Sequence, residues 1–278
     1  MQLEVYSCED TWNEVREHLN NQRIQGLFTD IEIETKGGHV IKAHRNVLSA
    51  VFPRMKRIMS SLTTNRLQWP RFDYETVMLA MDFAYTGRVN LTLANAVRLL
   101  LFSVNISCLK LRDWCIQFLT HNGRISGENV SQIWVAANSI LNEQLMKACV
   151  EVIMCQMERL DRDFYTWSHT SAQGMRLLLE ADHNFTSKRV LEFWLHLEPS
   201  DDVPKNKLCS LIGNSNLEVL SFDALLFIYS KAFELRISQE YRDKIEETLK
   251  SGNMRNIPQA GPSTSQGTSI TTTSEKFK

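Results

Sequence analysis

The sequence predicts an α+β chain whose small sheet lies near the N-terminus and is followed by helices alone. Three observations carry this. Residues 31–43 alternate apolar and polar around a Gly37-Gly38 pair, as the arms of a β-hairpin do. From Gly123 onward the apolar residues recur only at helical spacing, and from Ser251 the composition turns abruptly to Ser, Thr, Gly, Pro and Gln. The 278 residues therefore divide into segments 1–123, 124–250 and 251–278, the last a tail too poor in apolar side chains to offset its ordering entropy.

Taken in order, Ser7-Cys8-Glu9-Asp10 offers a helix N-cap, and Trp12, Val15 and Leu19 then fall on one helical face until Gly26 stops the helix. Ile31, Ile33 and Thr35 form one arm of the hairpin. Gly37 and Gly38 supply the positive φ of the turn, and Val40, Ile41 and Ala43 form the second arm. A single helix is expected from His44 to Met59, with Val47, Leu48, Val51 and Phe52 inside. Arg54, Lys56 and Arg57 lie near its C-terminal part, where they would complement the helix dipole. Pro70 keeps Trp69 extended. A helix from Tyr74 presents Val77, Met81 and Ala84 and closes at Gly87, and two more follow over residues 94–104 and 109–118. The all-helical segment starts with Val130, Ile133, Trp134 and Ala137 on an inner face. Leu141, Leu145, Ala148, Val152 and Cys155 are expected to line the next helix.

The chemistry of the chain points away from catalysis. Its net charge of −1 gives no overall attraction for phosphate backbones, so no nucleic-acid partner is expected. No apolar run is long enough to span a bilayer, no secretory leader core stands at the N-terminus, and a cytoplasmic or nuclear location is expected. The six cysteines show no Cys-x-x-Cys spacing and are read mostly as small apolar core residues. Phosphate-cradling glycine loops, nucleophile elbows and His-Glu-x-x-His are all missing. No catalytic residue, cofactor or metal site is expected, and the chain is read as a non-enzyme.

The hairpin running into Ala43-His44-Arg45-Asn46-Val47-Leu48 resembles the signature of a BTB/POZ domain, a protein-interaction fold. Phe83-Ala84-Tyr85-Thr86-Gly87 resembles the turn after the third helix of that domain, and residues 97–119 resemble its closing helix pair. The helices that follow resemble the extension called BACK, while the kelch repeats that complete many such proteins are not expected. The resemblance implies a homodimer whose leading helix supplies Trp12, Val15 and Leu19 to the interface. It implies a charged groove containing Asp30 and Arg45, which are expected to pair with each other. It also implies a cullin contact at the end of the His44–Met59 helix, where relatives place an apolar residue, any residue, then Glu. Here Met59 fits and Ser61 replaces the acid, removing a charge-assisted contact of roughly 1–3 kcal/mol. Tyr85 and Phe102 are read as further contact area for the cullin. Two roles stay open on these grounds. One is a substrate receptor of a cullin-based ubiquitin ligase, with an unknown target protein. The other is a scaffold or transcriptional co-regulator that does not bind cullin.

Overall fold

The computed structural model describes residues 9–61, 63–121, 123–181, 188–195 and 202–255. Ser7, Cys8 and most of the Ser/Thr-rich tail lie outside these residues. Helix α1 (Glu9–Gln25) ends at Gly26, whose φ of +70° is the left-handed stop that the sequence predicts. The hairpin follows as β1 (Ile31–Thr35) and β2 (Val40–Ala43), turning through Gly37 and Gly38 at φ +88° and +80°. Its antiparallel register sets Ile31 opposite Ala43 and Ile33 opposite Ile41, so all four side chains enter the core from one face.

The expected single helix from His44 to Met59 is two helices, α2 (Arg45–Val51) and α3 (Pro53–Ser61). Pro53 is the cause. It has no N–H to continue α2 and drives the preceding Phe52 to extended geometry, φ −114° and ψ +104°, yet it suits the first position of a new helix. The break has an electrostatic consequence. Arg54, Lys56 and Arg57 stand in the first half of α3, at the positive end of its dipole, rather than near the negative end of a long helix.

The extended piece before Pro70 is a third strand, β3 (Arg66–Trp69), paired parallel to β1 with Ile33 opposite Leu67, so the sheet order is β2-β1-β3. Helix α4 (Tyr74–Thr86) is capped at both ends. The Asp73 carboxylate accepts the Thr76 N–H at 2.8 Å, and Gly87 at φ +70° returns its N–H to the Phe83 carbonyl. Burial by itself would raise the Asp73 pKa, but the bonds from Thr76 and the Arg98 guanidinium outweigh it and hold the carboxyl below its ordinary value.

Helices α5 (Ala96–Asn105) and α6 (Leu109–Thr120) close the sheet-bearing half, and α7 (Val130–Ser139) and α8 (Glu143–Cys155) open the helical one. Packing does not break at residue 123: α5 lies on α7 and α6 on α8, and one buried apolar cluster runs from Ile31 to Ile245. The α8 stripe sits one position away from the expected one. Leu145, Met146, Cys149, Val150 and Ile153 face inward, while Leu141 and Cys155 are exposed. Leu141 belongs to the turn, at φ +52°. The same turn recurs with Ser107 between α5 and α6, and with Arg236 between α14 (Phe222–Glu234) and α15 (Gln239–Arg255). In each, the N–H after the left-handed residue bonds a carbonyl five residues back: Cys108 to Ser103, Asn142 to Ala137, Ile237 to Ala232. Between these hairpins lie α9 (Met157–Leu160), α10 (Phe164–Ser168), α11 (Ala172–Ala181), α12 (Lys188–Trp194) and α13 (Asp202–Asn214). The helical backbone runs past the expected domain end at residue 250, to Arg255.

Candidate interaction surfaces

Helix α1 is anchored at its C-terminal end and open at its N-terminal end. Arg23, buried beneath it, ties it to α4: its guanidinium donates to Asp82 Oδ1 at 2.8 Å and to Asn20, and lies over the Tyr85 ring. The N-terminal half is open. Trp12 is 67% exposed and Val15 is exposed, while Leu19 is half-buried. Further exposed apolar side chains are Ile24, in the last turn of α1, and Leu27 and Phe28 beyond it, the last 80% exposed with a φ of +57°. The sequence reading did not single out these three. Their signal was an apolar pair standing directly after the Gly26 stop.

The backbone ahead of Phe28 is held by His44, which is buried at the junction of β2 and α2. The Leu27 carbonyl can only accept, so His44 Nε2 carries the proton and donates to it at 3.0 Å. With Nε2 as donor, Nδ1 accepts a hydrogen bond from the Tyr85 hydroxyl at 2.8 Å, while the His44 backbone N–H donates back to the Tyr85 oxygen, also at 2.8 Å. Burial raises the Tyr85 pKa, against the opposing pull of the His44 N–H and the Arg23 charge. The hydroxyl thus stays protonated and available to the ring.

Asp30 and Arg45 meet, but not as an ion pair of side chains. Asp30 Oδ1 accepts the backbone N–H of Arg45 at 2.7 Å, satisfying one of the orphan donors at the start of α2. The Arg45 guanidinium instead donates to the carbonyls of Asp30 and Thr64 and to Asn65 Oδ1, fastening the segment that leads into β3. The expected carboxylate–guanidinium pairing is therefore replaced within the chain by a helix cap and a backbone clamp.

The four residues read as cullin contacts separate into two pairs. Met59 is half-buried and Ser61 exposed at the end of α3, with the Ser61 hydroxyl turned back onto the Ile58 carbonyl at 3.1 Å. Tyr85 and Phe102 are core residues, 1% and 0% exposed. Tyr85 is committed to His44, and Phe102 is enclosed edge-to-face by Trp69 and Phe72, at centroid distances of 5.0 and 4.8 Å. Neither can touch a partner, which corrects the expectation. The accessible apolar side chains of α5 are Leu101 and Val104, with Leu109 just beyond the turn.

Among the concavities elsewhere are two. One, of about 420 Å³, is lined by Val89, Leu91, Trp114, Phe118, His121 and Arg124; the other, of about 570 Å³, by Leu141, Ser171, Gln173, Arg176, Ser210 and Asn214. Among the described residues no group of three His, Cys, Asp or Glu converges on a common point, and no helix is long and apolar enough to cross a membrane. Cys108, Cys115 and Cys149 are buried, and burial pushes the thiols of the last two up to about 12, with Cys108 adding to the shift of Cys115. They pack as the sequence predicts, as small apolar groups.

Comparison with known proteins adds a family to this geometry. Residues 19–123 match the model of the BTB/POZ domain. Human Kelch-like protein 11 is 26% identical over 179 residues, which are 59% of this chain and 25% of that protein. Kelch repeat and BTB domain-containing protein 8 of Danio rerio is 30% identical over 141 residues, 48% of this chain and 23% of that protein. The match thus spans about a quarter of the length of these curated relatives. Among solved structures, the BTB domain of zebrafish PATZ1 aligns in full with 43% of this chain, at 21% identity and a TM-score of 0.40. The helices beyond residue 123 are consistent with a BACK-like extension.

Proposed function

We propose that this chain, whose residues 19–123 are a BTB/POZ domain, works as a non-enzymatic dimeric adaptor. Two copies join through the Trp12 and Val15 face of α1. The end of α3, with Met59 and Ser61, takes a cullin scaffold, and the helical half holds a target protein. Function then rests on proximity, since tethering scaffold and target to one dimer raises the effective concentration of each for the other.

The observation that carries this reading is the exposure of Trp12 and Val15 on the open N-terminal half of α1. Large apolar side chains left in water gain from being covered by a partner, and a standard interface buries about 1,600 Å² in total. Sedimentation equilibrium of the full chain tests the dimer, and a stable monomer at micromolar concentration would end the claim. A pull-down with a cullin N-terminal domain, with Met59→Asp as the control, tests the scaffold contact. The absence of binding at saturating cullin leaves the second reading, a scaffold or co-regulator that takes no cullin. One observation favours that alternative: Ser61 offers a hydroxyl already bonded to its own helix where the acid would stand.

A further inference from the structure

From Thr35 to Phe72 the sequence contains eight Lys and Arg residues and no Asp or Glu. Part of this charge is used inside the chain. Arg66 lies within 4.0 Å of Glu32 and 3.9 Å of Glu34, and Arg45 clamps backbone carbonyls. The cations of α3 are not neutralised in this way. Arg54, Lys56 and Arg57 are exposed, and among the described residues none is paired with a carboxylate.

Their placement is unfavourable in the isolated chain. The three repel one another and stand in the first half of a nine-residue helix, where the dipole is positive and α3 offers no acid of its own. Beside Arg54 lies apolar surface. The Arg54 guanidinium donates to the Asn105 carbonyl at 3.0 Å, which sets the start of α3 against the α5–α6 turn, where Val104 and Leu109 are exposed.

We propose that this basic and apolar surface docks a segment of a partner protein that carries Asp or Glu around apolar anchors. The anchors sit at the α5–α6 tip and the carboxylates on Arg54, Lys56 and Arg57. Attraction and exclusion act together, because a partner with basic flanks meets three like charges. Protein is favoured over nucleic acid because the chain as a whole is net negative and the exposed apolar tip has no counterpart on a phosphate backbone. The inference rests on the reading of the α3 end as a docking face, and it specifies the charge of what docks there.

The test uses the full chain and fluorescence anisotropy with three labelled probes. These are an amphipathic 21-residue peptide with leucine anchors and glutamate flanks, the same peptide with lysine flanks, and a 20-base-pair DNA duplex. The glutamate peptide is expected to bind, and Lys56→Glu/Arg57→Glu to weaken it at least about tenfold, on the scale of two reversed interface charges. Lys56→Gln/Arg57→Gln should fall between, and raising salt from 50 to 300 mM should weaken the wild type more than either variant. Leu109→Ser should also reduce binding, since charge alone does not supply the anchor. Equal binding of the lysine peptide, no loss in the charge-reversed variant, or tighter binding of the duplex overturns the proposal. Cullin binding is measured in parallel. A cullin domain that binds wild type and the charge-reversed variant alike, with no glutamate-peptide binding, refutes this inference while leaving the adaptor reading intact.

Discussion

The α1 surface and the α3 surface belong to one small domain and are built on opposite principles. The first presents Trp12 and Val15, neutral and apolar, and gains from being covered by anything that excludes water. The second presents Arg54, Lys56 and Arg57 beside Val104 and Leu109, and is selective in sign. An apolar face suits a symmetric contact between identical copies, because it does not repel itself. A patch of one charge cannot serve that purpose and must look to a different molecule. On the proposed reading, dimerisation and partner choice would thereby be separated within one small domain.

The largest expected effect breaks the first surface alone. Trp12→Asp should raise the dimer dissociation constant at least about thirtyfold, the scale of losing an interfacial hot spot, as read by sedimentation equilibrium. Peptide binding at α3 should be unchanged, and loss of both would mean the surfaces are not separable. Next comes the support beneath the α1 surface. Tyr85→Phe leaves the His44 N–H and Nδ1 without their partner and should destabilise the fold by about 1–3 kcal/mol in chemical denaturation. It should also loosen the dimer, because His44 fixes the Leu27 carbonyl next to Phe28.

Gly174→Ala acts in the other half of the molecule. A Cβ there would lie 2.1 Å from Asn138 Oδ1, which accepts from the Ser171 N–H and hydroxyl. A loss of about 1–3 kcal/mol is expected, with both surfaces still competent in whatever fraction remains folded. The smallest effect is at a cap. Asp73→Ala should lower stability by about 1 kcal/mol near neutral pH. Because the Asp73 pKa is lowered on folding, its contribution is fully present above the ordinary carboxyl pKa, about 4, and disappears as pH falls through the lower folded value. Wild type and variant should therefore converge in acid, and a gap that persists there would assign the cap to something other than the carboxylate.

Much of this domain was legible because it is written in backbone grammar. Gly26, Gly37, Gly38 and Gly87 all adopt the positive φ that their positions imply. The exposed Trp12 and Val15 follow from a stripe that the local helix does not need for its own core. What was missed depends on a single residue or on distance in the chain. Pro53 splits one helix into two and reverses the electrostatic meaning of Arg54, Lys56 and Arg57. Asp30 lies 15 residues from Arg45, so whether it meets the guanidinium or the backbone N–H is decided only in three dimensions. Phe102 and Leu101 are adjacent and equally apolar, and helical phase alone sends one into the core and leaves the other outside. The α8 stripe slipped for a related reason, since Leu141 looks like the start of a helix and is the bend of a turn.

The parallel pairing of β3 with β1 also sets an order of events. Each helical hairpin closes through a turn of a few residues, whereas Glu32 must find Arg66 with 34 positions of chain separating them. Loop closure over that span is about 2 kcal/mol less favourable in chain entropy than over four residues. Helical hairpins can thus assemble from local contacts while the sheet waits for a distant partner. Since α2 and α3 are the crossover between these strands, chain entropy predicts that the pairing which fixes the two ends of that crossover forms late.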